Sequence, residues 1–265
     1  MNFIYEPLTT PSLTERYIGE LLPFREISPV LLKGPKGQDK TMQVFAYAME
    51  NDYKLLIFEA SEEARYGQII GQFGLKGREA YFSLGVIPTA IQYANSGERF
   101  ILLIEELNAL SPAAQKQLNS LLDLKKGVTV KEIGQRFELH NNSDNFLVVA
   151  TMALTFYGGV FELNEDLKSR FNIVSVGYPP EDKEREILSQ HTTDNELASK
   201  LVTLATQTRT SSFIYQLSTR DLVKAVKVIN KLGLKWGLKV LEGKFEEEDR
   251  KTFWERVSGI FGEVK

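Results

Sequence analysis

Short apolar runs punctuate the first two thirds of the chain, at Val30–Leu32, Lys54–Phe58, Phe100–Ile104, Phe146–Ala150 and Ile173–Val176. Each is nearly continuous rather than alternating, the pattern of a strand buried on both faces of a parallel sheet. Helical patterns lie between them. Ser111 followed by Pro112 is a helix start, a serine cap with proline in the first turn. Leu118, Leu121 and Leu122 then recur at the spacing of one buried helical face. Strand and helix in repeated alternation predict an α/β fold with the sheet flanked by helices.

After Pro179 the strand pattern stops. Pro180-Glu181-Asp182 opens a helix whose acidic first turn suits the positive end of its dipole. Ser218–Ile229 is a second helix, with Leu222, Ala225, Val226 and Ile229 along one side, and Glu246–Val264 a third, with Phe253, Trp254, Val257 and Phe261 clustered. The change at Gly177 divides the chain into an α/β domain, 1–177, and a small helical domain, 178–265.

Composition narrows the chemistry. The chain has 265 residues with 43% hydrophobic and 25% charged, an ordinary globular balance. Its formal charge of −3 does not mark the chain as a whole as a nucleic-acid binder. Having no cysteine, it offers no disulfide, thiol nucleophile or cysteine-bound metal, and His140 and His191 are too few for a histidine-rich site. Met1–Thr10 lacks the basic and apolar runs of a signal peptide, and the most apolar stretch, Phe146–Leu154, is well short of the roughly 20 residues that span a bilayer. The expectation is a cytoplasmic protein without a membrane segment.

The most informative stretch follows the first strand and opens a helix: Gly34-Pro35-Lys36-Gly37-Gln38-Asp39-Lys40-Thr41. It matches the phosphate-binding pattern G-x-x-x-x-G-K-[ST] at Gly34, Lys40 and Thr41, and departs at Asp39, where glycine is expected. Glycines let backbone N–H groups curl around phosphates, and a helix amino terminus adds a favourable dipole. Lys40 would reach the outer phosphates of ATP and the Thr41 hydroxyl would bind Mg2+. Asp39 sets a carboxylate beside a polyanion, at a backbone position that glycine serves best. Taken alone, the loop is equally a glycine-rich turn that binds nothing.

A second block supplies the complement. The strand Phe100–Ile104 ends in Glu105-Glu106, where phosphate-loop enzymes hold magnesium and activate the attacking water. The usual pair is Asp-Glu; here Glu105 takes the metal-linked place, one methylene longer, and Glu106 that of the general base. The bland alternative is two exposed acids at a strand end.

With these blocks in hand, the chain resembles the AAA+ ATPases of the MoxR type and the related dynein-like AAA modules, from about Val30 to Ile229. Gly85–Ile91 is similar to the family's "G-x-(L/I)-x-x-A" segment, Ile104–Ala109 to its "I-D-E-I-N-R-A" run, and Gln115–Leu122 to its "Q-x-x-L-L" helix. Val149–Met152 is similar to "I-A-T-x-N-P", and Tyr157-Gly158-Gly159, Leu163 and Arg170-Phe171 to "G-G-x-x-x-L…R-F". Ser218-Thr219-Arg220 fits the start of the second sensor helix. The resemblance implies a P-loop NTPase sheet with a helical lid, and an ATPase that remodels a partner protein. It implies Arg170 as an arginine finger reaching a neighbouring subunit in a ring, usually of six, and Arg220 over the nucleotide. Both are otherwise surface arginines in weak ion pairs. It also implies a client, in some relatives a von Willebrand factor A domain protein. Val128–Leu139 resembles a hairpin that faces the central pore, and Gly67–Gly77, with Phe73, is expected as another client-facing loop.

Three departures bear on catalysis: Asp39 in the loop, Glu105 in the acidic pair, and Ala153 where the first sensor is normally a polar Asn. They open an alternative, a degenerate module that binds nucleotide or a partner without efficient hydrolysis and acts as scaffold or switch. A DNA-directed AAA+ protein is a third class, with Lys125, Lys126, Lys131 and Arg136 its thin support.

Overall fold

In the computed structural model, the described residues are 21–123, 127–140, 145–154, 161–210 and 213–262. Lys125, Lys126, Met1–Thr10 and the Tyr157-Gly158-Gly159 motif therefore lie outside them.

The elements run α1 (Phe24–Ile27), β1 (Val30–Lys33), α2 (Lys40–Glu50), β2 (Lys54–Glu59), α3 (Tyr66–Ile69), β3 (Gly71–Lys76), β4 (Glu79–Leu84), α4 (Val86–Asn95) and β5 (Phe100–Glu105). There follow α5 (Pro112–Leu122), β6 (Gly127–Val130), β7 (Gln135–Glu138), β8 (Phe146–Met152), α6 (Glu165–Lys168) and β9 (Asn172–Ser175). The remainder is helical: α7 (Glu181–Ser189), α8 (Asn195–Thr210), α9 (Thr219–Leu232), α10 (Leu234–Glu242) and α11 (Glu247–Phe261).

The five apolar runs form one parallel sheet in the order β2-β5-β8-β1-β9. Their continuous hydrophobicity has the expected cause. Alternate residues point to opposite faces, and both faces are covered. Leu31, Leu56, Leu102, Ile104 and Ala150 pack on one side with Ile87, Ile91 and Leu118 of α4 and α5. Val30, Leu32, Leu55, Ile101, Leu103 and Val149 pack on the other with Val44, Tyr47 and Ala48 of α2. β9, at the edge, is the more exposed strand, with Ile173 largely open.

Two antiparallel hairpins interrupt the α/β alternation, β3–β4 and β6–β7. The first corrects an expectation. Gly67–Gly77 is not a loop but a helical turn followed by a strand. Phe73 sits opposite Phe82 with the rings edge-on 5.2 Å apart, and Gly74 opposite Tyr81. Cross-strand aromatic pairs of this kind stabilise a ribbon that its own glycines would weaken. The second hairpin falls where sequence similarity put one.

The described residues divide into two compact units. One comprises Leu21–Gly34 and Lys40–Val176; the other runs from Gly177 onward and includes Pro35–Asp39. The second has its own core, in which Leu201, Leu204, Leu222, Val226, Leu238, Leu241 and Phe253 are fully buried.

Candidate functional site

In a parallel α/β sheet, ligands bind beyond the carboxyl ends of the strands. β5, β8 and β1 are neighbours, so the loop after β1 and the acids closing β5 share that edge, with β8 between them. Gly34 leaves β1 with its N–H donating to Met152 O at 3.3 Å. A Cβ there would sit 2.1 Å from the Val176 carbonyl oxygen, so the chain passes only as glycine. Pro35 is half-buried and Lys36 exposed at the turn. Gly37 takes φ +77°, and a Cβ on it would come within 2.5 Å of Ser218 Oγ.

Gln38 is 3% exposed, and neither end of its amide has a hydrogen-bond partner among the described residues. Leaving a buried amide unsatisfied costs about 1–3 kcal/mol, so this is a group for which a ligand would supply the missing partner. Asp39 is held at φ +38°, the left-handed region that disfavours residues with a Cβ.

Lys40 and Thr41 open α2. Lys40 Nζ donates to the Gly34 carbonyl at 3.1 Å, which folds the lysine back over its own loop. The Thr41 hydroxyl donates to Glu105 Oε1 at 2.5 Å, across 64 residues of sequence. The additional methylene of Glu105 does not carry its carboxylate past the threonine. These two oxygen-bearing side chains meet as a pair. Mg2+ is ordinarily held by one or two protein oxygens together with substrate phosphates, and Thr41 with Glu105 fits that modest donor set.

Glu106 lies at φ 53°, ψ 46°, a left-handed conformation uncommon for a non-glycine residue. Its backbone N–H donates to Thr151 Oγ1 at 3.2 Å. Its exposed carboxylate makes no hydrogen bond or ion pair among the described residues. Strain of this sort persists only where surrounding structure over-determines it, and the surroundings are evident. Asn108, fully buried two residues on, donates from Nδ2 to the Ala153 carbonyl at 3.1 Å. The acidic turn is therefore pinned to the end of β8 at both Thr151 and Ala153. Ala153 itself is 4% exposed and brings no polar side chain.

Arg170, between α6 and β9, donates from Nε to Asp123 Oδ1 at 2.7 Å, and bonds the Asp166 carbonyl. Arg220 lies exposed in the first turn of α9, without a hydrogen bond or ion pair among the described residues. Ser218 caps that helix, its hydroxyl accepting from the Asp221 N–H.

A model of the AAA domain, dynein-related subfamily, matches residues 29–171, more than half of the chain. The chain belongs to this family. Several curated relatives are bacterial proteins. BssE of Thauera aromatica, whose name assigns it provisionally to the chaperones, is 28% identical over 62% of this chain. The chain spans 55% of the length of that relative. CbbQ of Hydrogenophilus thermoluteolus is 24% identical, covering 77% of this chain and 74% of its own. YojN of Bacillus subtilis is 26% identical, covering 66% and 57%. A solved chain from Cytophaga hutchinsonii, described as an ATPase candidate, is 18% identical with a TM-score of 0.47, covering 84% and 74%. In this AAA domain, three features escaped sequence reasoning: the unpartnered Gln38 amide, the Asn108–Ala153 bond and the Thr151 support for Glu106. Asn108 carried a signal, a polar residue fully enclosed in the apolar run Leu107–Leu110.

Proposed function

We propose that the chain binds Mg-ATP at Gly34–Thr41 and hydrolyses it, and that the cycle remodels a partner protein. The observation that carries this is the Thr41–Glu105 bond at 2.5 Å, which joins the phosphate loop to the acidic strand end. In this proposal residues 1–177 form the nucleotide-binding domain and 178–265 the lid.

Gly34, Pro35, Lys36, Gly37, Gln38 and Asp39 would line the phosphates with backbone N–H groups, and Gln38 would gain its missing partner. Lys40 would exchange the Gly34 carbonyl for phosphate oxygen. Thr41 and Glu105 would hold Mg2+, which supplies charge neutralisation for the transferred phosphoryl group. Glu106, exposed and held by Thr151, would take the proton of the attacking water. Arg170 would act on a neighbouring subunit's nucleotide in a ring, after leaving Asp123. Arg220 would reach the nucleotide from the lid, and the β3–β4 and β6–β7 hairpins would meet the client. A von Willebrand factor A domain protein is one such client.

Equilibrium titration of Mg-ATP tests the first step: saturable binding that Lys40→Ala abolishes is expected. Absence of binding by the unaltered protein at cellular ATP levels would sink it.

Ala153 favours a second reading, binding with little turnover, because a buried alanine cannot orient water. ATP binding without measurable hydrolysis, alone or in the assembled ring, would select it.

A further inference from the structure

Between Gln216 and Asp221 the chain turns into α9 with its residues tied down one after another. Gln216 donates from Nε2 to the Arg209 carbonyl at 3.4 Å and accepts from Tyr178 Oη at 3.1 Å. The Leu217 N–H donates to Thr208 Oγ1 at 3.1 Å, and its carbonyl accepts from Arg209 Nε at 2.9 Å. Ser218 and Asp221 close a reciprocal cap. Thr219, 1% exposed, donates from its hydroxyl to Glu184 Oε1 at 2.7 Å.

Arg220 is the exception. It is exposed and makes no hydrogen bond or ion pair among the described residues. Its place does not serve the helix either. The first turn is the positive end of the dipole, where a cation is disfavoured. Helix stability therefore gives no reason for an arginine at this position.

The anchoring beneath it is expensive. Glu184 is fully buried and the Arg209 side chain only 9% exposed. Desolvating two charges offsets most of their attraction, so an apolar pair would often hold such helices together as well. What the ion pair adds is direction. Glu184 on α7 is fixed by two guanidinium bonds from Arg209 on α8 and by the Thr219 hydroxyl on α9. Through Thr219 that geometry reaches the turn that carries Arg220.

The phosphate loop lies against the same turn. A Cβ on Gly37 would come 2.5 Å from Ser218 Oγ, and Pro35–Asp39 belongs to the same compact unit as α9.

Given a nucleotide bound at Gly34–Thr41, as proposed above, we infer that Thr219 and Glu184 are positioning residues for Arg220. Their buried bond fixes the first turn of α9, so that the guanidinium is held ready, without a counter-ion of its own, for a phosphate of the nucleotide. Neither residue touches the nucleotide itself.

Calorimetric titration of Mg-ATP into the full chain, run as a double-mutant cycle on Thr219 and Arg220, tests this. Arg220→Ala is expected to weaken binding about tenfold and Thr219→Val about fivefold. The double variant should bind no more weakly than Arg220→Ala alone, because Thr219 acts only through the arginine. Thr219→Ser keeps the hydroxyl and should bind within about twofold of the unaltered chain. Far-UV spectra should be unchanged throughout. Glu184→Gln supplies a second cycle, with the same dependence on Arg220 expected. Additive losses would overturn the assignment and leave the nucleotide reading intact. So would normal binding by Thr219→Val, or undiminished binding by Arg220→Ala. No binding by the unaltered chain would remove the nucleotide reading and the assignment together.

Discussion

The molecule carries two sets of carboxylates, and they are managed in opposite ways. In the helical unit Glu184 is fully buried. It accepts two guanidinium bonds from Arg209, at 2.7 and 2.8 Å, and a third from Thr219 at 2.7 Å. Arg209 is itself braced, donating to the Leu217 carbonyl and stacked 4.0 Å from the Tyr178 ring centre. Asp221 nearby takes bonds from Ser218 and Tyr215. Burial raises its pKa, but those bonds and the charge of Lys244 outweigh burial and hold the carboxyl below its usual range. At the end of β5, by contrast, and among the described residues, Glu105 has one hydroxyl partner and Glu106 offers a bare carboxylate on a left-handed backbone. Saturated carboxylates lock an architecture; under-partnered ones in strained positions are where chemistry is expected.

The comparison can be broken most sharply at Glu106. Under the proposed function, Glu106→Gln should lower turnover by about 10²–10⁴ while leaving Mg-ATP binding and thermal stability near normal. A variant that hydrolyses ATP at full rate would remove Glu106 from the role of base. The opposite side of the comparison predicts a stability effect. Arg209→Met strands the Glu184 charge in the core and should cost about 3–5 kcal/mol, read by urea unfolding; a cost below 1 kcal/mol would show the pair to be superfluous.

An intermediate effect belongs to Asp221. Its folded pKa is depressed, so the stability it contributes is complete above the unfolded value of 3.8 and is lost as pH falls through the folded value. Ser218→Ala removes the cap and the hydroxyl bond to the carboxylate that helps depress that pKa, while the bond from the backbone N–H remains. It should cost about 1 kcal/mol at neutral pH and flatten the acid limb of a stability–pH profile; an unchanged acid limb would sever Ser218 from the effect. The smallest change is expected from Asp39→Gly. Relieving a left-handed aspartate beside the phosphates should tighten Mg-ATP by a few fold, about 1 kcal/mol, measured by calorimetry. Weaker binding would mean that Asp39 contributes to the site.

Much of this was legible beforehand. The strands announced themselves because burial on both faces forces continuous apolar runs, and Ser111-Pro112 and Ser218 announced helix starts because caps are local chemistry. The phosphate loop and the acidic pair were visible as motifs, since each is a short contiguous stretch. The β3–β4 hairpin was not. Gln72, Phe73, Gly74 and Leu75 contain three side chains left exposed and a glycine, so no buried face sets the period, and pairing with Tyr81 and Phe82 decides the matter. Arg170 was legible as a motif residue but not as the partner of Asp123, which lies 47 positions away.

The sequence by itself determined the five-stranded parallel sheet, the helical second unit, the family and the residue types at the strand ends, because periodicity, capping and contiguous motifs are written within a few turns of chain. Only the tertiary structure decided that Thr41 meets Glu105, that Glu106 is held left-handed by Thr151, that Asn108 ties the acidic turn to β8, and that Gln38 is buried without a partner among the described residues. Those facts depend on which strands become neighbours and how closely they pack, and packing is a property of the whole core that no local stretch of sequence records.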